Sequence, residues 1–204
     1  MCNTFVQRPK KNAEGWQVRL RDAIAELKRP LIRKSDPAIV VVRSDDDLSP
    51  RLMRWGFYRS FNSAISNART DKLTGPIWSE AFRERRCLIP ASSFYEWSPT
   101  PRGPKQAYEF RAPEDDWLWI AGLWENAPQF GECFTMLTTD APPVMASIHD
   151  RMPAILDLAP ALAFLSGEYS NVVPYTGSLA VRACDSPLKT KAIPPPDDPQ
   201  GLLF

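Results

Sequence analysis

The sequence predicts an α+β fold in which a compact or barrel-like β body is surrounded by short helices. Many short segments are rich in β-branched and aromatic residues, whereas few segments have the spacing of an amphipathic helix. The 204 residues, 44% of them hydrophobic, suffice for one substantial core and favour one domain over two. We find no internal repeat, glycine-rich phosphate loop or interdomain linker. A single domain is therefore expected.

The individual elements follow from the apolar patterns. The longest predicted helix covers residues 16–27 and ends before Pro30; its spaced apolar positions are Val18, Leu20, Ile24 and Leu27. Shorter helices are predicted over 77–85, 144–148 and 160–165. Residues 38–42 form a β-branched run that is typical of a buried strand. Further strands are predicted over 87–89, 94–97, 106–110, 118–121 and 134–138.

Composition excludes several classes of protein. No run of about 18 apolar residues is present, so no membrane span is predicted, and residues 1–11 are polar and basic rather than signal-like. We expect a cytoplasmic monomer. The cysteines are scattered and the chain has one histidine, so a zinc site and a disulfide framework are not predicted, and no cofactor is expected. Residues 1–193 form the predicted domain, and the proline-rich residues 194–204 form a tail.

Charge is distributed unevenly along the chain. Residues 1–90 contain 18 Lys and Arg against 10 Asp and Glu, whereas residues 91–204 contain 7 against 14. The basic half also carries interleaved aromatic residues; this group comprises Arg51, Arg54, Trp55, Phe57, Tyr58, Arg59 and Arg69. Such a mixture suits a groove that follows phosphates and stacks bases, as in single-strand binding. An ordinary solvated face is the alternative.

Cys2 follows the initiator methionine and would become the first residue once Met1 is removed. The mature chain would then begin with a 1,2-aminothiol. Its α-amine, with an ordinary pKa of roughly 7.7–8.0, is substantially neutral at cellular pH and can attack an aldehyde. The thiol can then close onto the imine, which gives a thiazolidine. A small second residue of no functional consequence is the alternative.

Three segments place polar residues within apolar surroundings. Asn67 and Arg69 alternate, so on a strand their side chains would project to one face. Glu96 lies among three aromatic residues, where desolvation would raise its pKa and let it move protons near neutral pH. His149 lies beside an apolar stretch. The structural alternatives are a turn and a salt bridge for Asn67 and Arg69, an ion pair with Arg86 for Glu96, and a purely structural histidine.

Taken together, these segments resemble the SRAP family, named for SOS response-associated peptidase. The matching residues run in order from Cys2 to about position 156: Cys2, Asn67-Ala68-Arg69, 86–97 (RCLIPASSFYEW), 121–125 (AGLWE) and 149–153 (HDRMP). The resemblance implies a single-domain SRAP-like fold with a curved, barrel-like antiparallel β core and short flanking helices. It also implies shielding of abasic sites in single-stranded DNA through a thiazolidine crosslink to the N-terminal cysteine, with peptidase and lyase activity as further expectations.

The resemblance implies a role for each matched residue. Cys2 would be the nucleophile through both its amine and its thiol, Asn67 would hydrogen-bond the adduct, and Arg69 would bind a backbone phosphate. Glu96 would shuttle protons during ring opening and Schiff-base formation, and His149 would orient or protonate the sugar oxygen. The remaining DNA contacts are expected from Arg54, Trp55 and Arg151.

The sequence departs from the family pattern at positions where DNA contacts are expected. The usual opening Met-Cys-Gly-Arg has Asn3 and Thr4 instead of glycine and arginine. The usual Trp-Gly-Leu-Ile-Pro-x-Trp is replaced by residues 55–61 (WGFYRSF). Thr70, Asp71 and Lys72 replace Ala-Glu-Thr, and residues 181–185 (VRACD) replace an asparagine-rich element. We therefore expect the chemistry to match the family more closely than the geometry of DNA binding.

Two other classes of function fit the same residues. In a cysteine hydrolase, the Cys2 thiol would attack an amide with His149 or the N-terminal amine as the base, and removal of Met1 could be autocatalytic. In a non-covalent module for damaged or modified bases, binding would survive the loss of Cys2. A peptidase turns over peptides, whereas a crosslinking protein traps one abasic strand, so the substrate distinguishes these classes.

Overall fold

Two β-sheets and a layer of helices make up the fold in the computed structural model, which describes residues 2–44, 47–100, 104–112 and 116–188. The first sheet has five strands in the order β15-β10-β9-β1-β2. The second has the order β13-β12-β4-β3-β8-β11-β14, with β7 pairing with β12 and with β11 also pairing with β12, which closes the five strands from β12 to β11 into a barrel. Strands β5 and β6 form a separate hairpin. All pairings are antiparallel in the described residues except those of β12 with β4 and with β7.

The strand bounds are β1 Thr4–Val6, β2 Leu31–Arg33, β3 Pro37–Ser44, β4 Asp47–Trp55, β5 Phe57–Arg59, β6 Asn62–Ile65, β7 Asn67–Arg69, β8 Arg86–Ala91, β9 Ser93–Ser98, β10 Gln106–Arg111, β11 Leu118–Ala127, β12 Gly131–Asp140, β13 Arg151–Pro153, β14 Ile155–Leu156 and β15 Ala180–Cys184. The helices are α1 Trp16–Ala25, α2 Ser79–Glu84, α3 Pro143–Ala146 and α4 Leu158–Ser166, with a 3-10 turn at Thr70–Lys72. Among the described residues, no helix has both the length and the apolar content that a membrane crossing requires.

The space between the two sheets is filled by large apolar side chains. Phe5, Phe94 and Phe110 extend from the five-stranded sheet and pack with Val40 and Phe134 of the larger sheet. The rings of Phe94 and Phe110 stack with centroids 4.8 Å apart. Burial of each such side chain contributes roughly 1.5–3 kcal/mol, so this layer holds the two sheets together. Cys2 belongs to the same core.

The other face of the larger sheet is covered by helices. Leu20 and Ile24 of α1, Ala81 of α2 and Phe164 of α4 lie in a second core with sheet residues such as Val41. Each sheet residue that points to this face is followed by one that points to the first core, as in Ile39, Val40 and Val41 of β3. The continuous apolar run of β3 is explained by this position, because both faces of the strand are covered.

Gly56 turns the chain between β4 and β5. Its φ of +128° lies in a region that favours glycine, and an added Cβ would lie 3.0 Å from the Cα and Cβ of Ala64. Its N–H donates to the carbonyl of Phe134 at 2.7 Å. The glycine therefore permits the close approach of the β5–β6 hairpin that follows.

The expected α+β fold with a barrel-like, mainly antiparallel β core is confirmed. Every predicted helix and strand is present, with ends shifted by a few residues; α1, for example, ends at Ala25 rather than at position 27. The sequence did not predict β1, β2, β4, β5, β6, β13, β14 and β15, and it indicated a strand at β7 only as a condition for a shared face of Asn67 and Arg69. Most have only two to five residues, too few for a period-two pattern to emerge. The predicted tail at 194–204 lies outside the described residues.

Candidate active site

Cys2 lies at the entrance to β1 and is completely buried. Its thiol donates to the carbonyl of Thr4 at 3.3 Å. Its nitrogen is bound in the peptide bond to Met1 in this chain, so a free Cys2 amine requires removal of that residue. Burial raises the pKa of the Cys2 thiol well above its ordinary value, and the negative charge of Glu96 raises it further. The thiol is thus held in its neutral form beside an acidic group.

Asn67 is brought to Cys2 by strand β7. This short strand lies parallel to β12, with Asn67 opposite Met136 and Arg69 opposite Thr138. The amide Nδ2 of Asn67 donates to the carbonyl of Cys2 at 2.9 Å and to the Ser66 hydroxyl at 3.2 Å. Its Oδ1 is buried and accepts no hydrogen bond within the described part of the chain. One side of the amide therefore fixes the backbone at Cys2, and the other side is left to receive a donor.

Glu96 points from β9 into the core between the sheets. The alternation of the strand places Phe94 and Glu96 on the inner face, and only 1% of the Glu96 surface is exposed. Burial raises the pKa of Glu96 from 4.5 to about 7, and the charge of Asp150 contributes in the same direction. The raised pKa expected from the aromatic surroundings is therefore confirmed. The alternative ion pair with Arg86 is wrong: that guanidinium donates to the carbonyls of Phe82, Phe164 and Tyr169 instead.

His149 faces Glu96 from the loop between α3 and β13. Its Nε2 lies 3.8 Å from the Glu96 Oε2, and its Nδ1 accepts the backbone N–H of Arg151 at 2.9 Å. Because Nδ1 accepts, the neutral ring carries its proton on Nε2, on the side of Glu96. Burial lowers the pKa of His149, although the Asp150 carboxylate, 3.0 Å from Nδ1, opposes this effect. The Nε2–H of the imidazole therefore faces the Glu96 carboxyl at a separation longer than a direct hydrogen bond.

Arg69 and Arg151 lie at the rim of this cluster. Arg69 is half exposed and forms two hydrogen bonds with Asp71, from Nε at 2.9 Å and from Nη2 at 2.8 Å. Arg151 is buried and donates to Asp140 and to the carbonyl and hydroxyl of Thr138. Arg69 thus remains accessible to a phosphate. The expected DNA contact by Arg151 is corrected, because its exposed fraction is 6% and its Nη1 and Nη2 donors bind Asp140 and Thr138.

Trp55 and Arg54 do not form the expected base-stacking groove. The Trp55 ring is completely buried, stacks on Phe134 and donates its indole N–H to the carbonyl of Ser66 at 2.8 Å. Its place is in the core, where it supports the backbone next to Asn67. Arg54 points to the opposite face of β4, over the Phe130 ring, and donates to the carbonyl of Gly56 at 2.9 Å. The burial of Trp55 therefore contradicts its predicted base contact, whereas the DNA contact of the partly buried Arg54 stays a prediction.

The structure brings together four of the predicted site residues, namely Cys2, Asn67, Glu96 and His149. Asp71, Asp140 and Ser66 also belong to the site or its rim, but the sequence assigned them no role. Asp71 stood out only as one of the three residues that replace the family's Ala-Glu-Thr after Arg69. Thr4, where the family has arginine, is buried and donates its hydroxyl to the carbonyl of Ile32 at 2.7 Å. The chain thus supplies no phosphate contact from that position.

The fold and site define an α+β protein in which a buried cysteine at position 2 adjoins an amide and a carboxyl–histidine pair. The chain belongs to the SRAP (SOS response associated peptidase) family, whose sequence model matches residues 1–185. Two solved structures share the fold. A protein from Bordetella bronchiseptica has a TM-score of 0.73 at 21% identity over 91% of this chain and 100% of that one. A protein from Bacteroides thetaiotaomicron has a TM-score of 0.71 at 18% identity over 90% and 92%.

Curated relatives carry names that refer to abasic sites. The abasic site processing protein HMCES of Xenopus tropicalis is 32% identical, over 74% of this chain and 57% of that protein. The abasic site processing protein YoqW of Bacillus subtilis is also 32% identical, over 51% of each chain. This chain therefore matches only about half the length of these relatives.

Proposed function

We propose that this protein processes abasic sites in single-stranded DNA by forming a covalent thiazolidine crosslink through Cys2, acting as a monomer. The observation that carries the proposal is the convergence of Cys2, Asn67, Glu96 and His149 in one buried cluster. Asn67 holds the Cys2 carbonyl, Glu96 acts electrostatically on the Cys2 thiol, and His149 faces Glu96. The names of the relatives, which refer to abasic site processing, support the same substrate.

The chemistry uses the aminothiol that removal of Met1 would expose. The Cys2 amine attacks the C1′ aldehyde of the ring-opened deoxyribose, and loss of water gives an imine. The thiol then adds to the same carbon, which forms the S–C1′ bond, and its proton passes to the imine nitrogen. The sum is aminothiol plus aldehyde giving thiazolidine plus one water. No oxidant or metal is consumed in these steps.

Glu96 supplies the proton transfers, and His149 positions the sugar. A carboxyl with a pKa of about 7 is present in both protonation states at neutral pH, so it can protonate the sugar ring oxygen and accept a proton from the amine. His149, with Nε2–H on the side of Glu96, can donate a hydrogen bond that positions the ring-opened sugar hydroxyl. The free Oδ1 of Asn67 can accept a hydrogen bond from the adduct nitrogen.

The cysteine hydrolase alternative needs a Cys2 thiol with a lowered pKa. Hydrolytic cysteines act as thiolates, and their pKa is lowered by a cation or a helix N-terminus. Here burial and the neighbouring Glu96 raise the pKa of Cys2. An amine that attacks first, followed by a neutral thiol, fits this environment better than a thiolate that attacks an amide.

Intact-mass spectrometry of the protein tests the proposal. We expect the purified protein to lack Met1, and we expect its mass after mixing with an abasic oligonucleotide to equal protein plus DNA minus one water. An undamaged oligonucleotide of the same sequence is the control and should leave the mass unchanged. A peptide substrate that is turned over while the abasic strand stays unlinked would contradict the proposal and favour the hydrolase.

Replacement of His149 by alanine should affect reversal more than formation. If His149 mainly positions the sugar, the adduct still forms, with a rate lowered by about tenfold. Reversal needs the sugar hydroxyl held against C1′ while the hydroxyl proton passes to the departing nitrogen or sulfur, so exchange onto a competing abasic strand should slow by about a hundredfold. Time courses of adduct formation and of exchange onto the competing strand measure the two rates. Wild-type exchange in the alanine variant would remove His149 from the reverse reaction.

Replacement of Arg69 by alanine should weaken binding to single-stranded DNA and lower its salt dependence. Arg69 is the exposed arginine beside the cluster, and loss of a full phosphate contact would lower the slope of log K against log salt by about 0.7 for a single strand. Because Asp71 already offsets part of the Arg69 charge, the slope should fall by less than this amount. Fluorescence anisotropy over a series of salt concentrations measures the slope. An unchanged slope would show that no phosphate binds at Arg69.

A further inference from the structure

Acidic residues at the rim of the active site outnumber the arginines. Arg69 and Arg151 lie beside Asp71, Asp140 and Asp150, and two of these aspartates bind the arginines directly. Asp140 and Asp150 also act electrostatically on Arg69. A phosphate that approaches Arg69 therefore meets carboxylates close to that arginine, although the first 90 residues of the chain are basic overall and the exposed Lys105 acts electrostatically on His149 nearby.

The Arg69–Asp71 pair leaves part of the guanidinium available. A guanidinium has five N–H donors, and Asp71 takes the Nε edge, with contacts of 2.9 Å from Nε and 2.8 Å from Nη2. The Nη1 edge can still receive an oxygen. The side chains of Arg69 and Asp71 are 51% and 47% exposed, so a DNA strand can reach the pair from solvent.

The charge of Arg69 is nevertheless cancelled at short range. Its hydrogen bonds with Asp71 lower the pKa of that carboxyl to about 2, so Asp71 is fully ionised at neutral pH. A phosphate on the Nη1 edge would thus interact with a neutral pair rather than with an isolated cation. Arg151 cannot compensate, because it is buried and bound to Thr138 and Asp140.

We propose that Asp71 determines the selectivity of this site by keeping its affinity for undamaged single-stranded DNA low, so that retention depends on the covalent step. The inference rests on the proposed crosslinking function and concerns how the protein distinguishes damaged from intact strands. A site with weak electrostatic binding releases an intact strand quickly and is then free to sample other positions. An abasic position is retained because its aldehyde reacts with the aminothiol.

The Asp71→Asn variant tests this inference on an undamaged oligonucleotide. We expect its affinity to rise about two- to fivefold, the range that an exposed ion pair accounts for. The salt slope should steepen by up to about 0.7, because Arg69 can then bind a phosphate as a full cation. Asp22→Asn is the matched control: Asp22 also pairs with a neighbouring arginine, Arg21, at 2.8 Å, but on the exposed surface of α1. It changes the net charge equally and should leave the affinity near that of wild type.

A double variant shows whether the effect passes through Arg69. In an Arg69→Ala background, Asp71→Asn should change the affinity no more than Asp22→Asn does. Unchanged or weaker binding by Asp71→Asn alone, or an equal gain in the control, would overturn the inference. A gain that persists in full without Arg69 would also overturn it. Crosslinking of wild type to an abasic strand tests the proposed function separately, since binding to undamaged DNA involves no aldehyde.

Discussion

Replacement of Cys2 by serine is expected to abolish the heat-stable adduct with an abasic strand. The serine variant keeps the N-terminal amine and can still form an imine, which borohydride would trap. It lacks the sulfur that closes the five-membered ring, so the unreduced product should hydrolyse on heating. The measurement is a denaturing gel of protein and labelled abasic DNA, with and without borohydride before heating. Intact mass should confirm that the serine variant also lacks Met1.

A second variant separates the thiol from the amine. A wild-type chain that keeps one extra residue before Cys2 has its thiol but no adjacent free amine, and it should form neither the imine nor the thiazolidine. Because Cys2 is packed in the core with Phe5, folding of each variant must be checked by thermal denaturation. Undiminished, unreduced adduct from either variant would contradict the aminothiol mechanism.

Replacement of Glu96 by glutamine is expected to slow crosslinking by about a hundred- to ten-thousand-fold, the usual contribution of general acid–base catalysis. Glutamine keeps the shape of the carboxyl but cannot give or take a proton. Affinity for undamaged DNA should change little, because Glu96 is 1% exposed and offers almost no surface to a bound strand. Single-turnover time courses at saturating protein separate the two quantities. Wild-type rates of both formation and reversal would remove Glu96 from the mechanism.

The pH dependence gives a further test of the same residue. The wild-type rate should fall above about pH 7, as Glu96 loses the proton that the sugar oxygen needs, and should fall at lower pH as the amine becomes protonated. The glutamine variant should lose the alkaline fall.

The free energy of unfolding should also depend on the protonation of Glu96. The pKa of Glu96 is about 7 in the folded protein and 4.5 in the unfolded chain, so folding favours the protonated carboxyl. The contribution of this group to the free energy of unfolding is therefore fully present below pH 4.5 and is lost as the pH rises through 7. Denaturant unfolding at several pH values should show a smaller loss across this window for Glu96→Gln than for wild type.

The local character of the site could be predicted from the sequence to a large extent. The pattern around Glu96 indicated a buried carboxyl, because alternation on a strand places it beside Phe94 on the inner face. The alternation of Asn67 and Arg69 similarly indicated a common face, which β7 supplies. The family resemblance added Cys2 and His149 to the same site. These features depend on the two-residue period of a strand and on residue chemistry, both of which are local.

The predicted DNA contacts of Trp55 and Arg151 are contradicted by their burial, and the reason lies in the tertiary structure. Trp55 and Arg54 belong to a basic and aromatic stretch, which suggested an exposed groove. The period of β4 places the two side chains on opposite faces, but only the packing of the five-stranded sheet shows that the Trp55 face is covered. Arg151 likewise lies in a charged segment that suggested exposure to solvent. Its burial depends on Thr138 and Asp140 of the adjacent strand.

By itself, the sequence determined the class of fold, the reactive groups and the desolvation of Glu96. The tertiary structure decided which of these groups meet: the carbonyl of Cys2 receives its hydrogen bond from a residue 65 positions away, and Glu96 meets a histidine from another part of the chain. It also decided which arginines remain available to a ligand. The physical reason is that residue period and chemistry act over a few positions, whereas coverage of a strand face and neutralisation of a charge depend on the partners that distant segments provide.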